Sequence, residues 1–106
     1  MISLNEVIDK LEKESGLPFH FLERPSEEVN CVVYNYVKDY ILADGRKEND
    51  LVNFYFILIT DKEINKKINI IEDTLFNNLF TKISVNRTEK LKSGSWQTSI
   101  TATKII

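Results

Sequence analysis

The chain has 106 residues, 42% apolar and 28% charged, with 14 basic and 16 acidic side chains and a formal net charge of −2. This composition fits one globular domain over residues 1–106 and lies far from the disordered class. Bases and acids are interleaved, which argues against a general nucleic-acid binder, since that function needs a basic stripe to displace counterions from phosphates.

Cys31 is the one cysteine, so no intrachain disulfide forms and the fold does not depend on an oxidising compartment. No apolar run approaches the roughly 20 residues of a membrane span. The opening residues Ile2-Ser3-Leu4-Asn5-Glu6 lack the basic and apolar regions of a signal peptide, so the cytoplasm is the expected compartment.

The first element is a helix. Ser3 and Glu6 have capping-box spacing, and Leu4, Val7, Ile8 and Leu11 form an apolar stripe behind them. Gly16 supplies a left-handed stop and Pro18 prevents continuation. Residues 18–22 form a brief extended piece, followed by an exposed polar loop around Glu23-Arg24-Pro25.

Strands follow. Cys31 to Tyr36 is rich in β-branched and aromatic residues. Tyr40-Ile41-Leu42 is its continuation or hairpin partner, ending in the turn signal Asp44-Gly45. Leu51 to Ile59 is the strongest strand and is apolar on both alternating faces: Val52, Phe54, Phe56 and Leu58 on one, Tyr55, Ile57 and Ile59 on the other. Such a strand needs both faces covered, and the chain has few spare elements for the second.

Thr60 and Glu63 repeat the capping-box spacing ahead of a second helix. Its apolar face runs through Ile64, Ile68, Ile71, Leu75 and Leu79, widened by Phe76 and Phe80. Ile83 to Arg87 and Trp96 to Ile105 close the chain as strands. In the last, Trp96, Thr98, Ile100 and Ala102 face one way. The expected fold is α+β: a single antiparallel or mixed sheet of about five to six strands with two helices on one face.

Chemistry is sparse. His20 is the only histidine, between Phe19 and Phe21, and reads as a strand residue rather than a ligand or base. A Cys–His pair would have to join Cys31 to His20, but Cys31 opens a strand rather than a helix, and a small core residue is the better reading. Asp39, Asp44, Glu48 and Asp50 around Gly45 lack EF-hand spacing and read as a solvated hairpin tip. Three scattered glycines make no phosphate loop. The expectation is no catalytic, cofactor or metal residue and no enzymatic activity. An enzyme or ligand module would need a deep pocket holding His20 beside an acidic partner.

The order of segments resembles the tail-terminator, or tail-completion, proteins of long-tailed bacteriophages and prophages. The resemblance spans nearly the whole chain. It rests on Gly16-Leu17-Pro18-Phe19, on Glu23-Arg24-Pro25, and on Cys31-Val32-Val33-Tyr34 as an apolar strand ending in tyrosine. It continues with Tyr40-Ile41-Leu42-Ala43-Asp44-Gly45 and with Ile59-Thr60-Asp61-Lys62 leading into the second helix. Gly45 stands where the family more often has Asn, and Asn30 where it often has proline.

The resemblance implies a structural protein that forms a homohexameric ring at the head-proximal end of the tail tube. The ring would stop tube polymerisation and offer a docking surface to the head. The implied partners are other copies of the chain, the tail tube protein and the head–tail connector or stopper, with no sequence-specific nucleic-acid contact and no membrane. The implied location is the virion, with assembly in the host cytoplasm. A connector or stopper of the same virion is the alternative. Tyr40, Ile41, Asp44, Tyr55 and Ile57 are the candidate subunit interface.

Overall fold

The computed structural model describes residues 3–43 and 46–106, the side chains of 40–49 excepted. In chain order the elements are α1 (Leu4–Ser15), β1 (Phe19–Phe21), β2 (Cys31–Ala43), β3 (Arg46–Thr60), α2 (Ile64–Asn77), β4 (Thr81–Lys90) and β5 (Trp96–Ile105). The strands form one sheet in the order β1-β2-β3-β5-β4. β1 lies parallel to β2 and the other pairings are antiparallel, so the sheet is mixed and the fold is α+β.

The start of α1 is as its sequence predicts. Ser3 Oγ accepts a hydrogen bond from the Glu6 amide at 3.2 Å, and Gly16 ends the helix at φ 74° with its N–H donating to the Glu12 carbonyl. Left-handed backbone is nearly free for glycine, so the chain turns there and descends into β1. The Glu12 carboxylate accepts from the Phe19 amide at 3.2 Å and ties that strand to the helix.

The start of α2 departs from expectation. Thr60 is not a cap. It pairs with Trp96 as the last residue of β3, and α2 starts only at Ile64, too far along the chain for Thr60 to stand at its cap position. Glu63 takes the cap position in left-handed backbone, at φ 56°, with no side-chain cap bond. The far end differs too. Ile71 and Leu75 are buried, but Phe76 is 73% and Leu79 78% exposed. The helix stops at Asn77, and Leu79 at φ 64° reverses the chain, so Phe80 rather than Leu79 drops into the core.

Tyr40-Ile41-Leu42 continues β2, and Ala43 pairs with Arg46. The Asp44-Gly45 turn signal lies outside the described residues. β4 is longer than its apolar centre predicts, because exposed polar residues extend it at both ends.

One hydrophobic core lies between the sheet and the helices. The sheet supplies Val32, Val52, Phe54, Phe56, Leu58, Ile100 and Ala102; the helices and their flanks supply Val7, Leu11, Ile71, Leu75 and Phe80. The Phe54 and Phe56 rings stack at 5.5 Å, and Phe80 meets Phe54 edge-on at 5.3 Å. Alternation from Val52 to Leu58 therefore sends Val52, Phe54, Phe56 and Leu58 under the helices, where burying each is worth about 1.5–3 kcal/mol.

Candidate functional site

Three features lie outside the core: a bare sheet face, an open strand edge, and a polar cluster beside β1. The bare face follows from the register. Val33 pairs with Ile57 and Asn35 with Tyr55, and across β3 Tyr55 pairs with Thr101 and Ile57 with Ser99. These residues alternate with the core set, so they project from the side opposite the helices. Tyr55 is 47% and Val37 51% exposed. A groove of about 300 Å³ runs along Leu22, Val33, Asn35, Tyr55 and Ile57.

The open edge arises because β1 is short. It covers β2 only from Val32 to Tyr34. There the Val32 N–H donates to the Pro18 carbonyl and the Leu22 N–H to the Tyr34 carbonyl, both at 2.9 Å. By the antiparallel alternation, the backbone groups of Tyr36, Lys38 and Tyr40 point the same way, past the end of β1. The Tyr36 N–H is answered by its own neighbour, Asn35 Oδ1, at 2.8 Å.

The other sheet border is protected. β4 carries two register irregularities, and Lys82, Arg87 and Lys90 are exposed along it. Bulges and charges of this kind discourage strand addition.

The β2–β3 ribbon also outruns its support. β5 ends beside Leu51, and the backbones of Asp50 and Ile106 exchange the last hydrogen bonds at 3.0 and 2.9 Å. Farther out, among the described residues, β2 and β3 pair only with each other, and the molecule reaches 52 Å in length against 23 and 22 Å across. A two-stranded ribbon is marginal in water by itself.

Of the candidate interface residues, Tyr55 and Ile57 lie together on the bare face. Tyr40 and Ile41 lie on the β2 backbone in the open stretch, their side chains outside the described residues, as is Asp44 altogether. Val33, Asn35 and Val37 escaped the sequence reading. Their alternation with Val32, Tyr34 and Tyr36 was visible, but only the register with β3 brings them beside Tyr55.

His20 sits mid-β1 on the bare-face side, in register with Val33. Its Nε2 lies 3.0 Å from Glu28 Oε2, and Cys31 Sγ donates to the Glu28 main-chain carbonyl at 3.5 Å. Glu28 was not a sequence candidate; the loop alone brings it back over the strands. Burial pushes the Cys31 thiol up, the Glu28 carboxylate pushes it further, and Arg24 partly offsets both. A shift in that direction favours the protonated thiol, which is a weaker nucleophile than the thiolate.

Among the described residues, no helix is long and apolar enough to cross a membrane. The chain matches no family model and no curated protein.

Proposed function

We propose that this chain is a structural assembly protein whose copies close into a ring, and that the ring serves as the tail terminator of a long-tailed phage or prophage. The observation that carries the assembly reading is the β2–β3 ribbon. It extends beyond β5, and from Tyr36 outward its β2 edge has no neighbouring strand among the described residues. An edge of unpaired N–H and C=O groups is a template for strand addition, and a second copy supplies the missing partner. The adjoining bare face, with Tyr55 and Val37 half exposed, widens the contact with apolar surface.

Two different patches meeting head-to-tail give a ring when the rotation closes and a filament when it does not. The choice of a terminator, with a hexameric ring on the tube end, rests on the order of segments from Gly16-Leu17-Pro18-Phe19 to Ile59-Thr60-Asp61-Lys62. On this reading the protein acts by position rather than by chemistry: a ring seated on the tube blocks the next tube subunit and leaves its outer surface to the head connector.

Electron microscopy of the pure chain, alone and with the tube protein of the same virus, tests the proposal. Closed rings that cap tubes at one end and shorten them are expected. Rings that ignore the tube and stay with filled heads would move the protein to the connector or stopper role. Absence of any ring would overturn the assembly reading.

A further inference from the structure

The loop between β1 and β2 places three different metal-binding groups together. His20 Nε2, a Glu28 carboxylate oxygen and Cys31 Sγ all lie within 4.8 Å of one another. Each comes from a separate stretch. His20 projects from β1, Cys31 from the first position of β2 on the same sheet face, and Glu28 from the loop that folds over both. The loop is held in place by the Arg24 guanidinium, which donates to the Glu28 carbonyl at 2.7 Å, and by the Glu28 amide, which donates to the Pro25 carbonyl at 3.0 Å. On its α2 side Asn30 Oδ1 accepts from Lys67 Nζ at 2.6 Å.

Four non-glycine residues of this segment, Leu22, Ser26, Glu27 and Asn30, have positive φ. Backbone of that kind is costly and persists where its surroundings over-determine it, as they do around clustered functional groups. The outcome is that Cys31 is fully buried while His20 and Glu28 keep 25% and 34% of their side-chain surface open to solvent.

We propose that His20 Nε2, the Glu28 carboxylate and Cys31 Sγ bind a divalent transition-metal ion of the zinc class, with water in the fourth position. Thiolate, imidazole and carboxylate together select a borderline ion over magnesium or calcium, which take oxygen ligands. Ligand atoms around a tetrahedral zinc ion stand roughly 3.3–3.6 Å apart, given bonds of about 2.0–2.3 Å. The His20–Glu28 separation of 3.0 Å is already close to this, and the remaining spacing closes by at most about 1.5 Å. The ion replaces the His20–Glu28 hydrogen bond, and Cys31 binds as thiolate with its proton passing to solvent. An ion here pins β1 and the loop to the start of β2, beside the open edge. The site stands independently of the ring assignment.

Cobalt titration of the untagged full chain, kept reduced with a non-thiol phosphine, tests it. The wild type is expected to develop a thiolate-to-cobalt absorption band that saturates at equimolar metal and is bleached by zinc. Cys31→Ser should abolish the band. His20→Asn and Glu28→Gln, at partly exposed positions, should weaken binding by about tenfold or more while circular dichroism shows the fold intact. If Cys31→Ser fails to fold, those two variants decide the matter. No band in folded wild type, or a band that neither His20→Asn nor Glu28→Gln weakens, overturns the site.

Discussion

The two sides of β3 behave as different materials although they share one backbone. Val52, Phe54, Phe56 and Leu58 are at most 1% exposed, while Tyr55 between them is 47% exposed and pairs across the strand with Asn35 and Thr101. The first set is closed by α1 and α2. Among the described residues, the second set faces away from both helices. On the proposed reading, folding is encoded on one set of alternate residues and association on the other, so that damage to one side need not reach the other.

The largest effect should come from the covered side. Phe54→Ala removes a ring stacked on Phe56 and edged by Phe80, and should destabilise the monomer by about 3–5 kcal/mol, read from the urea midpoint. One residue along, Tyr55→Glu should change stability by less than about 1 kcal/mol, since the side chain is half in water already. It should nonetheless weaken self-association by about tenfold or more, measured by sedimentation. Equal loss of stability in the two variants would erase the distinction between the sides.

The margin of the covered side offers a subtler probe. Burial raises the Tyr34 hydroxyl above its ordinary value of 10.0, with Tyr36, Glu12 and Asp9 adding to the shift. A folded-state value above the unfolded one means the native state holds its proton longer. The contribution is therefore complete below about pH 10 and is lost as pH rises through the raised folded value. Urea midpoints of wild type and Tyr34→Phe should run parallel up to about pH 9 and then separate, with wild type falling faster.

The smallest effect tests a flaw in the covered side. Thr60 is fully buried, and its hydroxyl oxygen has no hydrogen-bond partner among the described residues. Thr60→Val keeps the shape and removes the unanswered polar group, so it should be neutral or stabilising by up to about 1–2 kcal/mol in thermal melts.

Much of the fold was legible because the local signals agree. Ser3, Gly16 and the alternation of Val52, Phe54, Phe56 and Leu58 all point to the elements that form. The misreadings share a cause. Thr60 has a cap's chemistry but is claimed by its ladder partner Trp96, and Leu79 has the helical period but sits in left-handed backbone that turns it out. In both, a long-range or backbone constraint overrides a local preference. The site was less legible for the same reason. Tyr55 and Ile57 stand out by alternation alone, whereas Val33, Asn35 and Val37 join them through strand register, and Glu28 reaches His20 through a loop whose path no periodicity describes.

The central claim is that copies of the chain complete the bare face and the open edge of β2. Sedimentation velocity of the untagged wild type and of Tyr55→Glu, over a wide concentration range, addresses it most directly. The account predicts a discrete closed oligomer for the wild type and a shift toward folded monomer for the variant. A wild type that sediments as a monomer at every concentration, or a variant that assembles as well as wild type, would contradict it.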